Sequence, residues 1–406
     1  MIEETEEKKV KKTCARKTKG FGLLETIIII VVTSIIAAIT TGVILYNSFG
    51  EKTGVSYGKL SEDKNLKEFL DVYYSLSEEY YENIDKEEML ESAIKGMTDY
   101  LGDSYTTYLS EEETKQLEES LIGKYKGIGI SFANRTVASV FKNSPAEKAG
   151  ILPGDKFVSV NGKDCTELTD TEISNLIKSN DKSAVVVMNR DGKESSYTIE
   201  LNSLNVPAIS YSITEDKIGY IYISTFSGTL AEQVQEALTD LESQSMKSLI
   251  IDVRDNAGGY LVAASGVANL FLEKGKTIYS LQSNDILQIY KDETEEKRDY
   301  KILVLINKNS ASAAEILAAS LKESYGATLF GEKSYGKGKV QQTKELSDGR
   351  MVKYTTAKWL TPSGVCIDQL GLEPDIAVEQ ELIYTNGEVT GIEDTQLKEA
   401  IKYIQK

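Results

Sequence analysis

The chain has 406 residues, of which 41% are hydrophobic, and it carries a net charge of −17 with no histidine. This length allows two or three domains with separate cores, at about 100–200 residues each. The negative charge argues against nucleic acid as a partner, because phosphate binding needs a basic face. Without histidine, no catalytic triad can be built on an imidazole base.

The first structural signal is an uncharged segment of 20 residues, TIIIIVVTSIIAAITTGVIL, from Thr26 to Leu45. At about 1.5 Å per residue it can cross a hydrocarbon core of about 30 Å. Seven basic residues lie upstream between Lys8 and Lys19, whereas only Lys52 and Lys59 follow closely. The positive-inside bias therefore predicts a single-pass anchor in the cell membrane, with a cytoplasmic N-terminus and an extracytoplasmic remainder.

Two other interpretations fit this segment less well. A cleaved signal peptide usually has an apolar core of roughly 7–15 residues, so this longer segment fits an uncleaved anchor better. A buried core helix is disfavoured because the dense β-branched residues leave no polar face. A form released by cleavage would change location but not chemistry. Cys14 falls on the cytoplasmic side of the anchor, apart from Cys165 and Cys366, so no disulfide framework is expected.

Apolar residues recur at helical spacing from Leu66 to Leu101, beyond a polar, glycine-bearing linker. The pattern predicts a pair of amphipathic helices. Packing of these helices across a homodimer is possible, although spacing alone does not determine it.

The segment from about Tyr125 to Asn202 has short β-like runs around the turn-rich SPAEKAGILPGD. With GIGI before it, this segment resembles a PDZ domain, which binds a C-terminal carboxylate through backbone N–H groups and adds the peptide as a strand. The resemblance implies a carboxylate loop and adjoining strand at Gly127, Ile128, Gly129 and Ile130. It also implies a side-chain pocket at Ile173 and Ile177. The alternative is that GIGI is only a tight turn before a buried strand.

From about Ser203 to Val378, strand-like and helix-like segments alternate. KIGYIYIS, SLIIDV and YKILVLI predict strands, whereas TLAEQVQEALTDLESQ and YLVAASGVANLFLEKG predict helices. This order indicates an α/β layer with some parallel pairing, in which functional residues gather at the carboxyl ends of strands. DNAGG and NKNSAS both follow such ends.

Two serines in NKNSASAAEILAASLKES, Asn307 to Ser324, precede a predicted helix. A serine nucleophile needs a base, and a lysine serves if burial lowers its pKa to about 7–8. The loop YGKGK could bring such a lysine back over the sheet. The alternative is that Ser310 and Ser312 are helix caps and that Lys337 and Lys339 are solvated loop charges.

The chain resembles the carboxy-terminal processing peptidases, or tail-specific proteases, from about Leu66 to its end. The motifs DSYTTYLS, DVRDNAGGYL, NSASAAEILAASLKES, GEKSYGKGKVQ, TAKWLTPSG and GLEPD occur in the family's order. The family consists of serine peptidases with a Ser-Lys dyad and a PDZ domain. The resemblance therefore implies an α+β and α/β multidomain fold.

The resemblance also implies the site residues. Ser312 would be the nucleophile, Lys337 the general base 25 positions later, and Gln341 the residue that orients the base, four positions further on. The oxyanion hole would consist of the backbone N–H groups of Gly258 or Gly259 and of Ala313. No metal or cofactor is implied, because the chain has no histidine and its cysteines and carboxylates show no ligand spacing.

These inferences predict a membrane-anchored serine endopeptidase that recognises the free C-termini of protein substrates through its PDZ domain. The alternative is an inert, membrane-anchored PDZ adaptor. The predicted regions are a basic N-terminus at 1–25, an anchor at 26–46, a linker at 47–62, helices at 63–122, a PDZ domain at 123–203, a peptidase core at 204–380 and a C-terminal helical segment at 381–406.

Overall fold

The structure is a computed structural model that describes residues 63–295, 297–385 and 388–406. The chain divides into two compact units, residues 1–92 and 93–406. The predicted anchor at Thr26–Leu45 lies outside the described residues. Within the described ranges, no helix is both long enough and apolar enough to cross a membrane.

The two predicted N-terminal helices are confirmed. The first helix begins after Asp63, whose carboxylate accepts hydrogen bonds from the amides of Asn65 and Leu66 and thereby caps it. The helices are α1 Lys64–Glu79, α2 Lys86–Tyr100, α3 Glu111–Ile122, α4 Pro145–Ala149, α5 Asp170–Lys178, α6 Leu230–Ser243, α7 Leu261–Ala268, α8 Ala313–Ser320 and α9 Thr395–Ile404. A π-helical turn, Leu321–Tyr325, continues α8, and a 3₁₀ turn spans Ser347–Gly349.

A six-stranded sheet forms the centre of the larger unit. Its strands, in spatial order, are β10 Ile209–Ile213, β11 Ile218–Ile223, β12 Ser248–Asp252, β15 Lys301–Ile306, β16 Thr328–Gly331 and β19 Ile376–Ala377. All neighbours pair in parallel except β10 and β11, which confirms the predicted parallel α/β layer. Leu249 and Ile251 pack on one side with α6, α7 and α8, and Ile250 packs on the other side with α9. Both faces are covered, so the strand is apolar throughout.

A second sheet packs against the same hydrophobic core. It contains β1 Thr107–Leu109, β13 Thr277–Ser283, β14 Ile286–Lys291, β17 Lys339–Glu345 and β18 Met351–Leu360. The segment from Ala327 to Gln342 is divided between the two sheets, because β16 ends at Gly331 and β17 begins only at Lys339. The loop between them, which contains Lys337, therefore connects the two sheets.

The region predicted as a PDZ domain has its own sheet and core, covered by α4 and α5. Its strands are β3 Ile130–Ala133, β4 Thr136–Val140, β5 Lys156–Val160, β6 Lys163–Asp164, β7 Ser183–Arg190 and β8 Lys193–Glu200. Two antiparallel strands, β2 Lys124–Gly127 and β9 Asn202–Asn205, carry the chain into and out of this region.

The C-terminal segment is only partly helical, contrary to the prediction for residues 381–406. A β-hairpin of β20 Glu381–Thr385 and β21 Glu388–Glu393 precedes α9. The sequence between these strands contains Asn-Gly, a dipeptide that favours a tight hairpin connection.

Candidate active site

Ser312 lies immediately before α8, in an unusual backbone conformation. Its φ of 55° and ψ of −117° are rarely adopted by a residue with a side chain, and it is 8% exposed. An ordinary capping serine has an extended backbone, so this geometry does not fit the simple cap interpretation. Ser310 is fully buried instead, and its hydroxyl donates to the Val253 carbonyl at 2.8 Å and accepts from the Asn307 amide at 2.9 Å.

The carboxylate of Glu315 connects the start of α8 to the lysine loop. Its Oε2 accepts from the backbone N–H groups of Ser312 and Lys337, each at 2.9 Å. Its Oε1 accepts from the Ser334 hydroxyl at 2.5 Å and from the Gly336 amide at 2.7 Å. Burial raises the pKa of the Glu315 carboxyl, and these four donors oppose the rise. Sequence reasoning missed this residue, although a Ser followed three positions later by Glu is a capping-box signal.

The side chain of Lys337 is partly buried beside Tyr105, from the DSYTTYLS motif. Its Nζ lies 4.6 Å from the centre of the Tyr105 ring, and its carbonyl accepts from Trp359 Nε1 at 2.8 Å. Burial lowers the pKa of Lys337, and the positive charge of Lys353 lowers it further. The negative charge of Glu315 raises it, because it favours the ammonium form. The net lowering favours the neutral amine, which is the form that can accept a proton.

Gln341 takes part in a polar network on β17 and β18. Its side-chain amide donates to Thr355 Oγ1 at 3.2 Å, and that hydroxyl donates to Asp103 at 2.6 Å. Asp103 also accepts from Lys339 Nζ at 3.1 Å. Within the described residues no hydrogen bond joins the side chains of Gln341 and Lys337. Both nevertheless line one cavity of about 500 Å³, together with Gly259.

The glycine pair after β12 lies directly against the nucleophile segment. A Cβ added to Gly258 would be 2.8 Å from Ser312 Cβ and 3.0 Å from the amide nitrogen of Ala313. The Gly258 N–H donates to Asn256 Oδ1 at 2.8 Å, so it is already engaged. Among the described residues, the N–H groups of Gly259 and Ala313 have no hydrogen-bond acceptor. The geometry thus favours Gly259 over Gly258 as an oxyanion donor.

The PDZ residues predicted from the sequence separate into two groups. Gly127, Ile128, Ile130 and Ile177 line a cavity of about 120 Å³ between β3 and α5. Gly129 and Ile173 are not among its lining residues. Ile173 is fully buried in the PDZ core. Ser174, the next residue on α5, faces the cavity in its place.

Comparison with protein families matches three consecutive parts of the chain. Residues 47–114 match the N-terminal domain of the activating protease CtpB, residues 136–190 match a PDZ domain, and residues 217–378 match peptidase family S41.

Curated relatives extend this similarity over most of the chain. The carboxy-terminal processing protease CtpA of Bacillus subtilis is 36% identical over 365 residues, covering 88% of this chain and 77% of the relative. A probable CtpA-like serine protease of Staphylococcus aureus strain N315 is 33% identical, covering 86% and 72%. Among solved structures, a photosystem II D1 C-terminal processing protease aligns with a TM-score of 0.47 and 25% identity, covering 78% of this chain and 87% of the other. The chain belongs to peptidase family S41 and is a carboxy-terminal processing serine protease with a PDZ domain.

Proposed function

We propose that this protease cleaves its substrates with Ser312 as the nucleophile and Lys337 as the general base. The observation that carries the proposal is the shared Glu315 oxygen, because two bonds of 2.9 Å hold the backbones of both residues to one atom. Burial lowers the pKa of Lys337, which favours the neutral amine that a general base requires. Burial of the Ser310 hydroxyl in two structural hydrogen bonds leaves Ser312 as the better nucleophile.

The reaction proceeds through an acyl-enzyme. Ser312 Oγ attacks the scissile carbonyl carbon while its proton passes to Lys337 Nζ. The carbon–nitrogen bond then breaks as Lys337 returns that proton to the leaving amine. Water attacks the ester with Lys337 again as the base, which releases the second product and restores the serine.

The N–H groups of Gly259 and Ala313 are proposed to stabilise the oxyanion. Both lack an acceptor among the described residues, and Ala313 is the first residue of α8, where the helix end carries a partial positive charge. Glycine at position 259 suits this role because its φ is 145° and a Cβ there would be 2.3 Å from the Phe226 carbonyl oxygen. Gln341 is proposed to orient Lys337 after a rearrangement that releases it from Thr355.

The PDZ domain is proposed to bind the free C-terminus of a protein substrate in the cavity between β3 and α5. The lining side chains of Ile128, Ile130 and Ile177 suit an apolar last residue. The bound tail would pair with the edge of β3, which pairs on its other side with β4.

The test compares the full-length wild type in detergent with Ser312→Ala and Lys337→Ala. The substrate is an unfolded protein with an apolar C-terminus, supplied with a free or an amidated terminus. Loss of cleavage in both variants and slower cleavage of the amidated substrate would support the dyad and the tail recognition. Cleavage that persists in Ser312→Ala would move the nucleophile elsewhere, and tail binding without cleavage by the wild type would favour the adaptor alternative.

The chain is also proposed to be anchored by Thr26–Leu45, with the peptidase outside the membrane. The cysteines allow a direct test with a membrane-impermeant maleimide, because Cys366 is partly exposed whereas Cys165 is buried. Labelling of Cys366 in intact cells, with Cys14 protected until lysis, is the expected result. Labelling of Cys14 in intact cells would contradict this orientation.

A homodimer is proposed to form through α1. This helix contains no buried residue and exposes Phe69, Leu70 and Leu76. Light scattering after size-exclusion chromatography should give the mass of a dimer for wild type and of a monomer for Leu70→Glu. A monomeric wild type would refute the proposal.

A further inference from the structure

Tyr125 lies across the loop that is proposed to bind the substrate carboxylate. It belongs to β2 and lines the same cavity as Ile128 and Ile177. Its ring packs so closely on Gly127 that a Cβ there would be 2.3 Å from Tyr125 Cε2. The ring also packs edge-on against Phe141, with centroids 5.9 Å apart. These contacts fix the direction of the tyrosine side chain.

The carboxylate loop, Gly127–Ile130, has two backbone N–H groups that face away from the groups to which the loop is hydrogen-bonded. The Ile128 carbonyl accepts from the Ala146 amide at 2.9 Å, and the Gly129 carbonyl accepts from the Phe141 amide at 2.9 Å. In a trans peptide the C=O group and the following N–H point in opposite directions. The N–H groups of Gly129 and Ile130 therefore point away from these partners, in the arrangement that a bound carboxylate requires.

The Tyr125 hydroxyl lies near these two amides, whose N–H groups act on its pKa. It is shielded from solvent and makes no hydrogen bond of good geometry. Burial raises the pKa of Tyr125 to about 12, and the facing N–H groups of Gly129 and Ile130 oppose the rise. A buried hydroxyl without a good partner is costly, so it is poorly held at this position.

We propose that Tyr125 is a plug in the carboxylate site of the PDZ domain, and that a substrate tail binds only by displacing its hydroxyl from the amides of Gly129 and Ile130. This inference rests on the proposed recognition of free C-termini. A carboxylate can displace the phenol because hydrogen bonds to an ionised acceptor are roughly twice as strong as neutral ones. The displacement lowers the apparent affinity for every tail, so it selects against weakly binding substrates.

The plug also lies on the connection between the PDZ domain and the peptidase core. Residue 125 pairs with Leu204 in the two strands that enter and leave the PDZ domain. Gly123, two residues earlier, accepts from the Val206 amide at 2.8 Å. The plug residue therefore lies on the strand that pairs with β9, which leads to the core.

The experiment measures peptide affinity by fluorescence anisotropy with full-length protein in detergent. All proteins carry Ser312→Ala, so that the peptide is not consumed. The probe is a labelled decapeptide with a C-terminal alanine, with a free or an amidated carboxyl group. Tyr125→Ala should bind the free-acid peptide about threefold to tenfold more tightly than the parent, because the carboxylate site is then open before the tail arrives. The affinity of Tyr125→Phe for the free-acid peptide should lie between those of the parent and Tyr125→Ala. The affinity for the amidated peptide should change little in either variant.

The control is Tyr197→Ala, which removes another partly buried tyrosine of the PDZ domain outside the cavity. It should leave tail affinity unchanged, and thermal unfolding should verify that each variant is folded. The plug alone would be overturned if folded Tyr125→Ala bound the free-acid peptide no more tightly than the parent, while the parent still preferred the free acid to the amide. Failure of the parent and both Tyr125 variants to prefer the free acid would overturn tail recognition and the plug together.

Discussion

Ser312 and Lys337 donate their backbone N–H groups to the same carboxylate oxygen of Glu315, each over 2.9 Å. They belong to different elements, the start of α8 and the loop before β17. One buried carboxylate thus holds together the two backbone segments that carry the proposed nucleophile and the proposed base. Displacement of either backbone segment would break a hydrogen bond to a buried charge, which is costly.

Glu315→Gln should therefore impair catalysis more than substrate binding. An amide can accept through only one oxygen, and its NH₂ group must face two of the donors from Ser312, Ser334, Gly336 and Lys337. We expect kcat to fall at least tenfold, with KM nearly unchanged, and stability to fall by about 1–3 kcal/mol. Steady-state kinetics and thermal unfolding measure both effects.

Glu373→Gln is the matched control for this substitution, because Glu373 forms an exposed ion pair with Lys333. It should leave kcat within twofold of the wild type. If Glu315→Gln also retained wild-type kcat, the carboxylate would not set the geometry of the site.

The pH dependence of activity should report the protonation of Lys337. The neutral amine is the active form, so kcat/KM should rise with pH through the pKa of Lys337. Burial lowers this pKa, so the rise should occur below the ordinary lysine value of 10.5. This rise is the ascending limb of the pH–rate profile. A limb centred at or above 10.5 would contradict the lowered pKa.

Tyr105→Leu should move this limb to still lower pH. The Tyr105 ring lies 4.6 Å from Lys337 Nζ, and an aromatic face favours the ammonium form. Leucine keeps the site apolar but removes that attraction, so a shift of about half a pH unit is expected. Lys339, Lys353, Glu315 and Asp103 supply the other nearby charges and are unchanged. A fall in kcat without a shift of the limb would show that Tyr105 has only a packing role.

Asp103→Asn should destabilise the protein in a pH-dependent manner. Burial raises the pKa of Asp103, but hydrogen bonds from Thr355, Thr106 and Lys339 outweigh it and lower the pKa from 3.8 to about 2. Stability from this depressed pKa is present above pH 3.8 and is lost as the pH falls towards 2. The variant should lose about 2 kcal/mol at pH 7, measured by denaturant titration. A difference from wild type that stays constant between pH 7 and 2.5 would contradict this origin.

Gly258→Ala should strongly reduce kcat without preventing folding of the PDZ domain. Its φ is 102°, and the added Cβ would be 2.8 Å from both the Ala311 carbonyl oxygen and Ser312 Cβ. Loss of oxyanion geometry typically lowers kcat by about 10²–10³. Gly192→Ala is the control, because Gly192 also has a positive φ, 84°, but a Cβ there meets no atom within 4 Å. Equal activity of both variants would refute close packing at the nucleophile.

The sequence allowed prediction of those parts of the site that follow from strand ends. Parallel strands β12 and β15 end immediately before the segments that contain Gly258 and Ser312, so periodicity alone brought them together. Placement of Lys337 required the family resemblance, because nothing in a glycine-rich loop fixes its direction. Its neighbour Tyr105 lies over 200 residues earlier in the chain, and such a contact leaves no local pattern.

Other features depend on side-chain direction, which spacing does not determine. Ile173 and Ile177 are one helical turn apart, yet only Ile177 lines the cavity, because α5 turns Ile173 into the PDZ core. The sequence does not distinguish Gly258 from Gly259 as the oxyanion donor. In the structure the Gly258 N–H donates to the side chain of Asn256, which leaves Gly259 as the donor. The predicted helical segment at 381–406 includes the β20–β21 hairpin, because the helical pattern belongs only to the residues of α9.

The most direct test of the proposed mechanism is detection of the acyl-enzyme. Full-length protein is mixed with an unfolded substrate, quenched in acid within milliseconds and digested, and the adduct is located by mass spectrometry. The proposed mechanism predicts an acyl group on Ser312 that is absent in both Ser312→Ala and Lys337→Ala. An acyl group on Ser310 or another residue, or an unchanged amount in Lys337→Ala, would contradict the Ser-Lys dyad.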